Sequence, residues 1–200
     1  MPIEEPKATL HRYLQRAREA IVWKLDGLSE YDARRPMTPT GTNVLGLVKH
    51  LSWVEAEYFS STFDRPWPLP AWLTVGEDED NADMWATADQ SREQIVSFYR
   101  EVWRNSDATI EALDLDSPGN VPWWGERGNP VTLLQILVHM IAETERHAGQ
   151  ADIVRESIDG GTGLRPDNSN IPEHDEAWWR AYVARLEAAA GAAGAASLIG

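Results

Sequence analysis

The 200 residues contain no cysteine. That excludes disulfides, thiolate metal ligands and a cysteine nucleophile, so any thiol chemistry needs a thiol brought in by a cosubstrate. Basic residues are scarce: 18 Lys and Arg stand against 32 Asp and Glu, a formal net charge of −14. A nucleic-acid surface needs clustered cations to neutralise phosphates, so nucleic acid is not an expected partner. No apolar run approaches the roughly 20 residues of a membrane span, and no basic amphipathic stretch suggests an anionic membrane surface. The start, Met1-Pro2-Ile3-Glu4-Glu5, lacks a basic segment followed by an apolar one, so a cytoplasmic protein is expected.

What the chain has is tryptophan, ten of them, and 42% hydrophobic residues. That is enough to build a buried core in a domain of this length. The periodicity is helical almost throughout. Leu10, Leu14, Ala17, Ile21, Leu25 and Leu28 recur every three or four residues and predict a first helix over about 7–28. Pro36 and Pro39 break the chain. Thr42 or Asn43 then caps a second helix carrying Leu47, His50, Leu51, Val54 and Tyr58. Residues 64–86, with Pro66, Pro68 and Pro70 and the acidic run from Glu77 to Asp80, form a long non-helical connection. Thr87 with Gln90 fits a capping box for a third helix with the stripe Ile95, Phe98, Val102, Thr109, Ile110 and Leu113. After a loop over 114–128, Asn129-Pro130 reads as a cap and first residue of a fourth helix. That helix runs to about Ile158, and Gly160-Gly161 stops it. A short fifth helix is expected over about 173–190.

The expected fold is therefore all-α: a four-helix bundle with long connecting loops and an extra short C-terminal helix. Residues 1–190 are expected to form one domain, with the Ala/Gly-rich stretch 191–200 as a flexible tail.

The chemistry concentrates in His139-Met140-Ile141-Ala142-Glu143-Thr144-Glu145-Arg146-His147. Glu143 and His147 are four apart, so they share one helix face with Ile136, Met140, Ala151 and Val154. A carboxylate and an imidazole turned toward a core need a partner, and a metal ion is one. A hydrogen-bonded core histidine is the plainer alternative. His50, between Leu47 and Leu51, supplies a third donor from another helix. Two imidazoles and a carboxylate suit Zn²⁺ with an open position, or Fe²⁺ or Ni²⁺. His139, one turn before Glu143, and Glu55 are candidates for a catalytic acid–base group. Trp53, Trp123 and Trp124, with Trp67 and Trp72, are candidates for lining a pocket, and plain packing competes for each. His11 and His174 read as surface positions. Asp152 and Arg155 read as an ion pair along one helix.

At this point the sequence resembles a known family. The stretch 129–160 with Trp123-Trp124-Gly125 ahead of it, the run His-Ala-Gly-Gln-Ala-Asp-Ile-Val-Arg-Glu at 147–156, and Val-Lys-His-Leu at 48–51 with Trp53, Glu55 and Tyr58 are similar to the DinB-like metalloenzymes, especially their actinobacterial branch. The resemblance covers roughly residues 7–190. It implies a four-helix bundle with an open metal site whose ligands fall on His50, Glu143 and His147. The family triad is often three histidines. The glutamate departs from it, and resembles the His-Glu-His set in the metal-binding domain of mycothiol-dependent maleylpyruvate isomerase. The activity implied is a metal-dependent transferase using a low-molecular-weight thiol such as mycothiol, with an electrophile as second substrate. A metal-dependent hydrolase with Glu55 as base, and a non-catalytic stress-related metal-binding protein, are the alternatives. Helical bundles of this kind are often homodimers.

Overall fold

The structure, a computed structural model, describes residues 4–73 and 79–196. It holds six α-helices: α1 (Pro6–Trp23), α2 (Glu30–Arg34), α3 (Val44–Phe59), α4 (Arg92–Ala112), α5 (Leu133–Asp159) and α6 (Glu176–Ala196). A two-stranded antiparallel ladder pairs β1 (Pro118–Gly119) with β2 (Val131–Thr132). By its contacts the chain divides into two compact units, Met1–Asn168 and Ser169–Gly200.

In the first unit α3 is the centre. Twelve of its sixteen residues are buried, as expected of a helix apolar on nearly every side. It packs on α4 and on α5, while α1 packs on α5 and, less extensively, on α4. Asn43 caps α3 as expected, its side-chain oxygen accepting from Gly46 N–H at 2.7 Å. At the other end of the unit, Gly160 takes φ +74° and closes α5, its N–H donating to Glu156 O. That left-handed stop is the one the sequence predicts.

Three boundaries in this unit differ from expectation. The first helix stops at Trp23 rather than near Leu28. The chain turns there, with Gly27 at φ +77°, yet Leu25 and Leu28 remain buried, so a turn dipping into the core continues the apolar spacing of a helix. The short α2 follows, capped by Ser29. The Thr87–Gln90 contact forms, Gln90 Oε1 accepting from Thr87 N–H at 3.1 Å, but it closes a turn. Ser91 is the true cap of α4, accepting from Gln94 N–H. Asn129 and Pro130 do not open α5 either. The Asn129 side chain accepts from Val121 N–H at 2.7 Å and donates to Val121 O and Gly125 O, fastening the Trp loop. Thr132 caps α5.

A buried ion network ties α1, α3 and α4. Arg18, fully buried on α1, makes two hydrogen bonds to Glu55 of α3, at 2.6 and 3.1 Å, and one to Asp107 of α4 at 2.8 Å. His11 adds a 2.7 Å contact to Asp107, so it is part of this network and not a free surface group. The expected Asp152–Arg155 pair does not form. Arg155 pairs with Asp159 at 2.9 Å, and Asp152 pairs with the buried Lys24. In the second unit α6 extends to Ala196, past the expected end near 190. Asp175 caps its first turn, and His174, Trp178 and Tyr182 stack along it. The acidic run beginning at Glu77 and the last four residues of the tail lie in part or wholly outside the described residues.

Candidate metal centre

His50 comes from α3, Glu143 and His147 from α5, and the packing of these two helices brings the three together. One donor atom from each lies within 4.8 Å of the others. Glu143 Oε1 sits between the two rings, 3.0 Å from His147 Nε2 and 3.5 Å from His50 Nε2. The imidazoles stand edge to face with centroids 4.9 Å apart. His147 is buried, and His50 and Glu143 are half-buried.

The outer nitrogen of each ring is also held. His50 Nδ1 lies 2.5 Å from Asp83 Oδ2, and His147 Nδ1 lies 2.7 Å from Gln150 Oε1. Both partners are acceptors, so each Nδ1 donates to its outer partner and each Nε2 faces Glu143, as a lone pair when a cation lies between them and as an N–H donor to the carboxylate when none does. Histidines that ligate metals are fixed by such outer partners. Donors about 2.0–2.2 Å from a tetrahedral ion stand roughly 3.4 Å apart, close to the two spacings from Glu143. The donor set fits a divalent metal by chemistry and by convergence.

Asp83 reaches His50 because its segment is clamped onto α3. It lies in the 3₁₀ turn Ala82–Met84. Lys49 Nζ donates to Ala82 O and Trp85 O at 2.9 and 2.8 Å, and Asn43 Nδ2 donates to Met84 O at 3.2 Å. The approach depends on Gly46: a Cβ there would stand 1.8 Å from Met84 O.

The electrostatics follow from these contacts. Burial draws the His50 pKa down, but Asp83 first and Glu143 second outweigh it and hold the imidazole above its ordinary value. Burial raises the Glu143 pKa, yet His147 and His50 win and keep the carboxylate below its usual range. Asp83 is lowered chiefly by its hydrogen bond from His50. His139 is different: burial lowers its pKa against the opposing pull of Glu143, so the neutral ring is favoured.

Beside the triad opens a cavity of about 400 Å³ lined by Trp53, Val54, Glu57, Tyr58, Asp83, Trp123, His139 and Glu143. Its aromatic wall is fixed by mutual contacts. The Tyr58 ring is 4.8 Å from His139 and 5.2 Å from Trp123, and Trp124 Nε1 donates to Tyr58 Oη at 3.0 Å.

Trp53 and Trp123, the pocket candidates, line the cavity, and so does His139, the acid–base candidate, whereas Trp124 packs on Tyr58 and His139. Glu55 does not belong to the site. Its side chain is fully buried against Arg18 and does not line the cavity. A buried ion pair has no room to serve as a base. Trp67 and Trp72 are partly buried against the core, with ring centroids 5.6 and 5.4 Å from that of Phe98. Asp83 and Gln150 escape a reading of the sequence as ligand partners. The spacing of Gln150 three residues after His147 is a usable signal; nothing local marks Asp83.

Comparison with known proteins bears out the resemblance. Among curated proteins none matches the chain. A solved structure described as the conserved protein of a locus from Enterococcus faecalis is similar in fold, with a TM-score of 0.55 and 16% identity, covering 80% of this chain and all of that one. A family model described as mycothiol-S-transferase matches residues 9–160. Those residues include every side chain of the triad and its cavity, and the chain belongs to the mycothiol-S-transferase family.

Proposed function

We propose that the protein is a metal-dependent thiol S-transferase, in which His50, Glu143 and His147 hold a divalent metal and a low-molecular-weight thiol of the mycothiol type attacks an electrophile. The observation that carries this reading is the convergence of the three donors beside an aromatic cavity, in a chain of this family that has no thiol of its own. On this reading the four long helices α1, α3, α4 and α5 form the four-helix bundle that frames the centre. Zinc is the leading metal for two imidazoles and a carboxylate, with iron and nickel as alternatives. A metal bound there would supply a Lewis acid that lowers the pKa of a thiol at its open position.

The protein's own groups do the rest. Asp83 and Gln150 keep both Nε2 lone pairs aimed at one point. His139, neutral and in the cavity wall, accepts the thiol proton on an imidazole nitrogen and returns it, as the new S–C bond forms, to the leaving group whose bond to that carbon breaks, or to the product of addition. Trp53, Tyr58 and Trp123 exclude water from the face where the electrophile lies. The hydrolase alternative loses the base the sequence offered for it, because Glu55 is locked to Arg18.

The test is turnover of model electrophiles by protein loaded in turn with Zn²⁺, Fe²⁺ and Ni²⁺, with mycothiol and with other small thiols. Consumption that needs both metal and thiol, and is lost in Glu143→Ala, supports the assignment. Loaded protein that consumes no electrophile with any thiol sinks it.

A further inference from the structure

Tyr58 stands in the cavity wall with one hydrogen-bonding function unused. It lies two turns after His50 on α3, so His50, Val54 and Tyr58 share one face of that helix, and Val54 and Tyr58 both line the cavity. Trp124 Nε1 donates to Tyr58 Oη at 3.0 Å. An indole N–H can only donate, so the phenol oxygen is the acceptor in that contact and its own O–H hydrogen is left for another partner. No other hydrogen bond joins Tyr58 Oη to the described residues. Tyr58 is 6% exposed, and its ring is held by Trp123, Trp124 and His139 with centroids 5.2, 5.8 and 4.8 Å away. A fixed, nearly buried O–H gains most from an acceptor that enters with a ligand, and the N–H it accepts polarises it into a stronger donor. His139, the group that carries the thiol proton, faces the same ring. It precedes Glu143 by four residues on α5, about 6 Å along the helix.

Resting on the transferase reading, we propose that Tyr58 is a catalytic hydrogen-bond donor that selects electrophiles whose reaction leaves negative charge on oxygen, an epoxide foremost. In that reaction the thiolate sulfur attacks an epoxide carbon, the S–C bond forms as the C–O bond breaks, and the electron pair of the broken bond passes to oxygen. Tyr58 O–H donates to that oxygen as its charge grows. His139 then delivers to it the proton taken from the thiol, so thiol and epoxide combine to a hydroxy thioether with nothing lost. An alkyl halide puts the charge on a halide ion, a weaker hydrogen-bond acceptor, and gains less from the same donor.

Two readouts test this, the first without thiol or turnover. Acetophenone, an unreactive ketone, is added to zinc-loaded wild type and zinc-loaded Tyr58→Phe, and its carbonyl stretch is read by isotope-edited infrared spectroscopy. Wild type is expected to move the bound stretch to lower frequency, and Tyr58→Phe to lose that shift. The second readout is kcat/KM with mycothiol for styrene oxide and for benzyl chloride. Tyr58→Phe is expected to lose about 100-fold on styrene oxide, and at least about tenfold less than that on benzyl chloride. Phenylalanine keeps the ring contacts, and a thermal melt with zinc content verifies fold and centre. The ratio of the two losses is in any case blind to a general loss of folded protein. The proposal is overturned if acetophenone shows the same stretch in both proteins, if it does not bind, or if the two electrophiles lose equally. Consumption of neither electrophile counts against the transferase reading, and the carbonyl stretch then decides the Tyr58 donation by itself.

Discussion

Asp83 Oδ2 meets His50 Nδ1 at 2.5 Å across 33 residues of sequence. This one contact selects the His50 tautomer, points Nε2 toward Glu143, and makes the long connection between α3 and α4 part of the centre. A loop residue thus completes a site whose other members all stand on helices.

Replacing Asp83 by Ala removes that support without touching a ligand. Metal affinity is expected to fall about 10–100-fold, read by competition against a chromophoric chelator. Unchanged affinity would mean that His50 is oriented by helix packing alone.

Gly46→Ala separates the clamp from the carboxylate. The new Cβ would overlap Met84 O and lie 2.6 Å from Met84 C, both backbone atoms, so the 82–84 turn must lift. Alanine gains about 1 kcal/mol in helix propensity, but overpacking costs about 1–3 kcal/mol. The expected outcome is a modest loss of stability in urea together with the metal-affinity loss of Asp83→Ala. A more stable variant with unaltered affinity would contradict the clamp.

The sequence makes α3 and α5 and the three candidate ligands legible through apolar spacing and a Glu and His four residues apart, and the family resemblance adds His50 to that pair. What it leaves out is held by distance. Asp83 is unremarkable in an acidic loop until Lys49, Asn43 and Gly46 bind its turn to α3. Glu55 misleads for the same reason. It lies one turn after His50 and reads as a nearby base, yet its carboxylate points into the core, where Arg18 from α1 meets it. Leu25 and Leu28 mislead because a turn can bury the same side chains that a helix would.

Glu55→Gln is accordingly a stability variant. Removing one partner of a buried pair leaves the other charge uncompensated, at a cost of about 3–5 kcal/mol, and Asp107 holds the loss to the lower end by retaining Arg18. Urea unfolding should record this while metal stoichiometry stays that of wild type. Loss of metal with no loss of stability would return Glu55 to the site.

The same network sets an acid limit. Burial raises the Asp107 pKa, but His11 and Arg18 outweigh it and hold it below the ordinary 3.8. A carboxylate with a depressed folded pKa contributes its stabilisation fully above the unfolded value and loses it as pH falls through the folded one. Unfolding free energy should therefore drop from about pH 4 downward, and less so in Asp107→Asn. Equal acid sensitivity in the two proteins would assign the loss to other carboxylates.

Metal content of the purified protein, wild type beside His147→Ala, tests the central claim most directly. After loading with Zn²⁺, Fe²⁺ or Ni²⁺ and removal of excess, elemental analysis should find about one equivalent in the wild type and little in the variant. No retained metal in the wild type, or the same content in both proteins, would contradict a centre built from His50, Glu143 and His147.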